Sequence, residues 1–554
     1  MNDQRLRKYH EFSREHGVNR AVYLASRLVM VPFFLAYFRL SRIGRDHAPL
    51  DGPLLVAANH RSFLDPFVIG ATLPFRRPMH YLAKVELFRN PLIGWFLSRL
   101  GAIPIRRGAS DEQAMETARM ALERGGAVCI FPEGTRITSG SVATPRRGVG
   151  RLALQAGAQV LPAAVHGSEH ARVKWRIRPR KVKVRLGRPV RYPRVEQPSP
   201  KLAAEVTDRI WPTVSLMWEW LGGLPPMRSA AVIGAGSWGT AVASLLAQGG
   251  VDVRLGTRTR EHAEEIRAAH ENERYLPGVR LPDNLTVARA GEIELAAVDL
   301  VVFAVPSKSL PQAVGSAAAR IGGRSAVLTL AKGLVDPQGR LPSRFIAERV
   351  RCRAVACLGG PAHAAEAVAG DASLVLASED EDLREQLGVV FDRAGVACER
   401  SDDIVGVEVA GVAKNATALA VAAKTAAGMN AAGAAGSAVW RECVAWGREL
   451  GAEPETFLGD AGIGDLTATV LAPGSRNRRA GELLAEGVAA NRISDILGQT
   501  SEAIHTVPLL AETVGRHGLE TDALDALAAL IGAQGTIDAE EVADVAVLPS
   551  ARRG

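Results

Sequence analysis

The sequence contains few cysteines and no recognisable secretion signal. Its 554 residues include five cysteines, and no two of them stand at the C-x-x-C spacing of a zinc or redox motif. This scarcity excludes a disulfide framework and a structural zinc site, and it favours a reducing cytoplasm. Residues 1–20 are polar and charged, so no signal peptide is predicted. The cysteines are Cys129, Cys352, Cys357, Cys398 and Cys443.

Long apolar runs are lacking as well. The best candidate for a membrane span, residues 28–38, has 11 residues between Arg27 and Arg39. It is too short to cross a hydrocarbon core of about 30 Å. Two interpretations stay open: a buried helix, or a helix in the membrane interface with the flanking arginines at the headgroups. Five of the eight tryptophans lie in residues 1–226, which favours a membrane surface.

Charge is divided unevenly between the two halves of the chain. Residues 1–226 contain 36 Lys and Arg against 17 Asp and Glu, a net charge of +19. Residues 227–554 contain 31 against 42, a net charge of −11. Surfaces of opposite charge attract different partners, so only the first half is expected to seek anionic membranes or phosphorylated ligands.

The halves meet at a short segment that interrupts regular structure. Residues 221–228 contain two glycines and two prolines, which end helices and form turns. Residues 229–239 then read as a buried strand followed by a glycine-rich turn, as at the start of a free-standing enzyme. The sequence therefore predicts that two complete proteins are joined here.

In the first half, polar residues follow several predicted strands. His60 follows a buried strand, and Asp65 stands five residues later, so that His60 could act as a general base while Asp65 fixes its tautomer. A further strand ends in Arg106 and Arg107, and another runs into Glu133. Strand ends of this kind predict a site at the carboxyl edge of a sheet, and arginines there suit a phosphate group.

These residues form motifs that resemble the PlsC-type glycerophospholipid acyltransferases over about residues 20–215. The HX4D box stands at residues 59–65 and a complete FPEGTR box at residues 131–136. The resemblance implies an α/β domain in which His60 deprotonates an acceptor hydroxyl, which attacks the acyl thioester of coenzyme A or acyl carrier protein. Asp65 would orient His60. The residues implied to hold the acceptor phosphate are Arg107, Glu133, Gly134 and Arg136.

Two features of this half leave questions open. The second block of the motif set has Pro104 and Arg106 where an aromatic residue and an acid are more usual, so the acceptor is either lysophosphatidate or glycerol 3-phosphate. Residues 172–188 contain nine Lys and Arg. They form either a solvated strand face or a contact for anionic lipid headgroups or coenzyme A phosphates. No nucleic-acid recognition motif is present.

The second half opens with a dinucleotide-binding fingerprint. Gly234, Gly236 and Gly239 follow a predicted strand and begin a helix, the context in which a pyrophosphate binds the helix N-terminus. The next strand ends near Arg258 and Arg260 and lacks an acid for a ribose 2′-hydroxyl. This arrangement favours NADP over NAD, because an arginine would pair with the 2′-phosphate.

The motifs of residues 228–535 together resemble NAD(P)-dependent glycerol-3-phosphate dehydrogenase. They include Ala331-Lys332-Gly333, Lys414-Asn415, Gly464-Asp465-Leu466 and Ser475-Arg476-Asn477-Arg478. The resemblance implies reduction of dihydroxyacetone phosphate to sn-glycerol 3-phosphate, on a Rossmann doubly wound parallel sheet followed by an all-α domain.

The resemblance also implies roles for individual residues. Lys414 would be the general acid, Lys332 would polarise the carbonyl, and Asp465 would position Lys414 or the hydroxyl. Two lysines in one site should lower the pKa of one of them. The residues implied to hold the substrate phosphate are Asn415, Thr469, Arg476 and Asn477. Those implied to contact the cofactor are Gly234, Gly236, Ser237, Trp238, Gly239, Arg258, Lys332, Arg476 and Glu502.

The sequence thus predicts a bifunctional enzyme of phospholipid synthesis. It is expected to be cytoplasmic and peripherally bound to the inner face of the cell membrane. A homodimer is a possible assembly. The alternative is a dehydrogenase docked to the membrane by a catalytically silent acyltransferase-like module. No metal and no nucleic acid are expected. The predicted domains are residues 1–220, a linker at 221–228, the Rossmann domain at 229–404, the all-α domain at 405–540 and a tail at 541–554.

Overall fold

The computed structural model describes residues 3–106, 111–138, 140–173, 176–472, 474–498 and 501–533. The chain divides into two compact units, Met1–Pro226 and Met227–Gly554. They are called the first and second unit below. The predicted tail at 541–554 lies outside the described residues.

The first unit is an eight-stranded sheet between helical layers. Its helices are α1 (Asp3–His16), α2 (Arg20–Tyr37), α3 (Asp65–Thr72), α4 (Pro91–Arg99), α5 (Glu112–Glu123), α6 (Gly148–Ala156) and α7 (Pro200–Leu221). Its strands are β1 (Ser41–Ile43), β2 (Leu54–Ala58), β3 (Met79–Lys84), β4 (Ala102–Ile105), β5 (Ala127–Ile130), β6 (Gln159–His166), β7 (Arg172–Val173), β8 (Arg176–Ile177), β9 (Lys183–Leu186) and β10 (Val190–Arg191).

The sheet order is β1-β9-β6-β2-β5-β3-β4, with β10 added beside β6. The central strand β2 runs parallel to both β5 and β6 and is buried throughout. Its side chains alternate between two cores, as the strand period requires. Leu54 and Val56 pack with α2 and α3, whereas Leu55 and Ala57 pack with α5, α6 and α7. The carboxyl end of β2 therefore delivers His60 to one edge of a rigid sheet.

The second unit combines a Rossmann domain with a helical domain. Its helices are α8 (Ser237–Gln248), α9 (Arg260–Ala269), α10 (Leu310–Ala317), α11 (Pro342–Arg349), α12 (Ala364–Ala369), α13 (Glu381–Arg393), α14 (Ile404–Lys424), α15 (Met429–Glu449), α16 (Pro454–Leu458), α17 (Asp465–Leu471), α18 (Arg476–Ala485), α19 (Ala490–Leu497), α20 (Glu502–Arg516) and α21 (Asp522–Gly532). Its strands are β11 (Ser229–Ile233), β12 (Asp252–Thr257), β13 (Glu271–Asn272), β14 (Leu276–Arg280), β15 (Leu285–Arg289), β16 (Leu300–Phe303), β17 (Ala326–Thr329), β18 (Val355–Gly359), β19 (Ser373–Ala377) and β20 (Ala397–Ser401).

The large sheet has the order β15-β12-β11-β16-β17-β18-β19-β20. All neighbours are parallel except β18 and β19. The strand order reverses at β11, which is where ligands bind in doubly wound sheets. The helical domain packs around α14, whose 21 residues are almost all apolar or small. This confirms the predicted change from a parallel sheet to an all-α domain.

Among the residues that the structure describes, two helices are long and apolar enough to cross a membrane by length and composition: Arg20–Tyr37 and Ile404–Ala427. The first is longer than the 11-residue run read from the sequence, because residues 20–27 continue the same helix. Only 17% of it is buried, against 78% of the second. Ile404–Ala427 is therefore the core helix of its domain, whereas α2 leaves most of its apolar surface uncovered.

Candidate active sites

The first site is built on one buried carboxylate. Asp65 is the first residue of α3 and is fully buried. Its Oδ2 lies 2.9 Å from Nδ1 of His60, and it accepts bonds of 2.6 Å from the backbone amides of Arg61 and Ser62. Its Oδ1 accepts a 2.6 Å bond from Ser168 Oγ. These donors hold Asp65 still, so His60 donates through Nδ1 and presents Nε2 as the basic nitrogen.

The FPEGTR box closes over the same histidine. The ring of Phe131 stacks on that of His60, with centroids 4.1 Å apart. Glu133 is buried, and its two oxygens accept from the backbone amides of His60 at 2.6 Å and Ala143 at 3.1 Å. Burial raises the pKa of Glu133 to about 7. Glu133 therefore ties two loops together, and it does so best when ionised.

The implied phosphate ligands are placed differently from one another. Arg136 is exposed, while Gly134 has a φ of 73° and lies against the side chain of Arg146. A Cβ at Gly134 would come within 2.9 Å of Arg146 Nε, so this position requires glycine. Arg107 lies outside the described residues. Arg146 is an additional cation at the box that the sequence motifs did not indicate.

A buried cluster behind the HX4D box was also missed. The Arg61 side chain is 3% exposed. Its Nε lies 3.8 Å from Oε1 of Glu169, its Nη2 donates to the carbonyl of Thr138 at 3.4 Å, and its guanidinium lies 5.0 Å from the Trp218 ring centroid. The amide of Ile137 donates to the carbonyl of His60 at 2.8 Å. Arg61 therefore joins the loop of the base to the segment that follows Arg136.

The second unit shows the fingerprint geometry at the end of β11. Gly234 has a φ of 118°, and a Cβ there would come within 2.4 Å of the carbonyl of Ala304. A Cβ on Gly239 would likewise come within 2.0 Å of the carbonyl oxygen of Gly234. A Cβ on Gly236, the N-cap of α8, would meet no atom within 4 Å. This open helix N-terminus fits a dinucleotide pyrophosphate.

A cleft of about 690 Å³ runs from this turn into the helical domain. It is lined by most of the residues that the sequence singled out. They are Gly236, Ser237, Trp238, Gly239, Lys332, Lys414, Asn415, Thr469, Arg476, Asn477 and Glu502. The structure thus brings the implied cofactor residues and the implied substrate residues into one cavity.

Asp465 connects the two lysines in this cleft. Its Oδ2 lies 2.6 Å from Lys332 Nζ and its Oδ1 lies 3.0 Å from Lys414 Nζ. Lys414 also donates to Thr469 Oγ1 at 2.9 Å. Burial lowers the pKa of Lys414, and the nearby charge of Lys332 acts in the same direction, while Asp465 opposes both. Burial alone would raise the pKa of Asp465, but the two lysines hold it below its ordinary value.

The implied phosphate ligands form a chain of hydrogen bonds. Asn415 Nδ2 donates to the carbonyl of Lys332 at 2.8 Å, and Asn477 Nδ2 donates to Asn415 Oδ1 at 2.7 Å. Ser501 Oγ donates to Asn477 Oδ1 at 2.9 Å. Since both amides are oriented by these bonds, their positions relative to the lysines are fixed. Ser501 has no motif of its own and was not predicted.

Two implied cofactor residues are placed differently, because Glu502 lines the cleft and Arg258 does not. Glu502 begins α20 and accepts from the amide of Ser307 at 3.0 Å. Arg258 follows β12, is exposed, and does not line the cleft. Arg260 is engaged with Glu292 at 2.6 Å. Of the two arginines considered for the 2′-phosphate, Arg258 is thus the one without an ion-pair partner in the described residues.

Within the part of the chain that the structure describes, no group of three His, Cys, Asp or Glu side chains could hold a metal ion. The two sites are built from proton-transfer groups and anion-binding groups. They suit general acid–base chemistry on phosphorylated substrates.

Comparison with family models divides the chain in the same way. Residues 39–166 match the model described as acyltransferase. Residues 229–384 and 403–541 match the N-terminus and C-terminus of NAD-dependent glycerol-3-phosphate dehydrogenase. The acyltransferase match ends at residue 166, before Glu169 and Trp218, so these two residues that contact Arg61 lie outside it.

Relatives and solved structures agree with these matches. The glycerol-3-phosphate dehydrogenase [NAD(P)+] of Leuconostoc mesenteroides is 35% identical over 53% of this chain and 90% of its own length. That of a Bradyrhizobium species is 35% identical over 56% and 94%. A crystal structure of glycerol-3-phosphate dehydrogenase from Coxiella burnetii is 28% identical, covers 55% of this chain and 95% of its own, and has a TM-score of 0.50.

For the first unit, the structure of the 1-acyl-sn-glycerophosphate (LPA) acyltransferase, PlsC, from Thermotoga maritima covers 35% of this chain and 81% of its own. Its identity is 23% and its TM-score 0.28, so the assignment of this unit rests on the family model. The chain belongs to the NAD(P)-dependent glycerol-3-phosphate dehydrogenase family and carries an acyltransferase domain fused in front of the dehydrogenase.

Proposed function

We propose that the chain performs two steps of phospholipid synthesis. The second unit reduces dihydroxyacetone phosphate to sn-glycerol 3-phosphate, and the first unit transfers an acyl group from a thioester to lysophosphatidate or glycerol 3-phosphate. The observation that carries the proposal is that each unit contains a complete and separate proton-transfer centre: His60 with Asp65 at 2.9 Å, and Lys414 with Asp465 at 3.0 Å.

The reduction follows from the lysine–aspartate arrangement. When bound, NAD(P)H supplies a hydride to the carbonyl carbon. Lys414 donates the proton that the carbonyl oxygen gains, and its lowered pKa favours that donation. Lys332, on the other side of Asp465, stabilises the negative charge that develops on the oxygen. Asn415, Asn477 and Arg476 line the same cleft and would hold the phosphate.

The acyl transfer follows from the histidine–aspartate pair. His60 Nε2 takes the proton of the acceptor hydroxyl as its oxygen forms a bond to the thioester carbonyl carbon. The carbon–sulfur bond then breaks, and the proton passes to the leaving thiolate. Asp65 stabilises the imidazolium between these events. The intact pair, with its four-donor setting, favours catalysis over the alternative of a silent docking module.

We infer that the first unit works at an anionic membrane surface, and that the protein is cytoplasmic and peripheral. On α2, Leu28 is 65% exposed and Val29 is 72% exposed. On α4, Leu92 is 79% exposed and Trp95 is 50% exposed. Exposed apolar groups of this size suit burial at the interface of a bilayer. A homodimer stays a prediction from the sequence.

We further infer that NADP is the cofactor. Arg258 is exposed at the end of β12 and has no carboxylate partner in the described residues, so it is available to a 2′-phosphate. Arg258→Ala should raise KM for NADPH about tenfold, the loss of one charge-assisted hydrogen bond, and leave KM for NADH unchanged. Arg260→Ala, which removes an arginine held by Glu292, is the control. An equal change with both cofactors would show that Arg258 does not read the 2′-phosphate.

The alkaline limb of the reductase pH profile tests the lysine assignment. Lys414 must be protonated to act, so kcat falls as the pH rises through its pKa. Asp465 raises that pKa, so Asp465→Asn should move the limb to lower pH and reduce kcat at least about tenfold. Asp460→Asn, which loses only a bond from Ser373, should leave the limb in place. An unchanged limb in Asp465→Asn would refute the role given to Lys414.

The Arg61 cluster should act on acyl transfer by positioning. Glu169→Gln or Arg61→Met frees the loop that carries His60, and kcat should fall by about 10- to 100-fold. Arg61 also lowers the pKa of Glu133, so Arg61→Met should move the acidic limb of the transfer profile to higher pH. The exposed Arg124→Met is the control. A melting temperature that falls while kcat and the pH limb stay unchanged would show a role in stability alone.

The whole proposal is tested by mass spectrometry of the products. The full chain is given dihydroxyacetone phosphate, NADPH and an acyl-CoA, with and without lysophosphatidate. The wild type should form sn-glycerol 3-phosphate and an acylated glycerol phosphate. His60→Ala should form only the first, and Lys414→Ala should acylate only an acceptor that is supplied. Acylation that persists in His60→Ala would refute the assignment of His60 as the general base. If the wild type forms no acylated product, the alternative of a catalytically silent docking module is favoured.

A further inference from the structure

Three arginines of the first unit converge on the carboxyl end of α3. Arg27 donates to the carbonyls of Ala71, Leu73 and Pro74 at 2.9–3.4 Å. Arg42 Nη1 donates to the carbonyl of Ala71 at 3.4 Å, and Arg45 Nε to that of Thr72 at 3.1 Å. The arginine cluster, Arg27, Arg42 and Arg45, thus places three cations on four consecutive carbonyl groups.

The cluster carries more positive charge than the helix end can balance. The carboxyl end of a helix presents about half a negative charge. Among the described residues, no carboxylate lies within 4.0 Å of any of the three guanidinium groups. Arg27 is 6% exposed, and its Nε has no hydrogen-bond partner among the described residues. Arg42 and Arg45 are partly exposed, and each guanidinium has five N–H donors. Capping α3 therefore leaves donors and charge available to an anion.

Apolar surface belongs to the same elements. Arg27 lies on the covered side of α2, and the residues exposed after Arg20 recur at helical spacing and form one apolar stripe on the other side; they are Ala21, Ala25, Leu28, Val29, Pro32, Phe33, Leu35 and Ala36. Phe75, which follows α3 and is 43% exposed, lies 5.3 Å from the Arg27 guanidinium. Cations that accompany an apolar stripe match a molecule with an anionic head and an apolar tail.

We propose that Arg42 and Arg45, supported by the buried Arg27, bind the phosphate of an anionic phospholipid headgroup while the stripe of α2 lies in the bilayer interface. This inference rests on the membrane association proposed above. It assigns the headgroup contact to residues other than the nine cations of residues 172–188. It also corrects one expectation from the sequence, because Arg27 supports the site from within and does not itself lie at the headgroups.

The test is binding of the full chain to phosphatidylcholine vesicles with and without phosphatidylglycerol. R42Q/R45Q should bind the phosphatidylglycerol vesicles about 10- to 30-fold more weakly, from about 1 kcal/mol for each cation. Its binding to pure phosphatidylcholine should not change. R124Q/R209Q removes the same charge from exposed positions elsewhere in the unit and should have less than about a threefold effect. R42K/R45K should keep most of the preference, because lysine keeps the charge. A purely helix-capping role predicts instead that R42Q/R45Q lowers the melting temperature and leaves the preference for phosphatidylglycerol unchanged.

Three outcomes would overturn the assignment. One is a loss that follows R178Q/R180Q and not R42Q/R45Q. Another is an equal loss with both kinds of vesicle. The third is displacement by inorganic phosphate at matched ionic strength, which would identify a site for free phosphate. The melting temperature of each variant reports that the first unit is folded, and dihydroxyacetone phosphate reduction reports that the second unit is.

A further variant separates this inference from the proposal beneath it. L28S/F33S removes apolar groups of the stripe and should weaken binding to both kinds of vesicle. If the wild type binds neither kind, the proposed membrane association fails. If the wild type binds both kinds equally, the association stands and only the headgroup site fails.

Discussion

Each unit depends on one buried aspartate at the first residue of a helix. Asp65 begins α3, where a helix N-terminus favours a carboxylate, and it fixes the ring of His60. Asp465 begins α17 directly after the π-helical turn Asp460–Gly464, and it lies between two lysines and bonds to both. Burial makes every unpaired polar group costly. The groups that donate hydrogen bonds to each aspartate are therefore held in place together with its carboxylate. The two units share this device although their sheets and helices differ.

The sequence was informative where partners lie close along the chain or belong to dense motifs. His60 and Asp65 are five residues apart, and the turn at Gly234 is local, so both were predicted. Ser168, Glu169 and Trp218 were not, because they meet the HX4D loop only after β6 and α7 pack beside β2. Ser501 is likewise brought to the site by α20. These contacts depend on the packing of elements that are distant in the sequence, and the spacing of residues along the chain does not predict that packing.

The sequence did not predict which basic residues of the first unit lie close together in the fold. The run at residues 172–188 is the most obvious basic feature of the sequence, and Arg27 reads as a flank of an apolar helix. In the structure Arg27 is buried against carbonyl groups at the end of α3, and neighbouring carbonyl groups bind Arg42 and Arg45 beside it. The exposed stripe of α2 follows from the same fold, because only one side of that helix is covered.

On the function proposed above, the fusion has a chemical reason, since one unit forms the phosphate-bearing alcohol from which the proposed acceptor of the other unit derives. The most direct test is to measure both activities in Asp65→Asn and in Asp465→Asn of the full chain. Asp65→Asn should lose acyl transfer and keep the normal rate of dihydroxyacetone phosphate reduction. Asp465→Asn should lose most of the reduction and keep the normal rate of acyl transfer. Loss of both activities in either variant, or of neither, would contradict an account in which each unit is organised by its own buried aspartate.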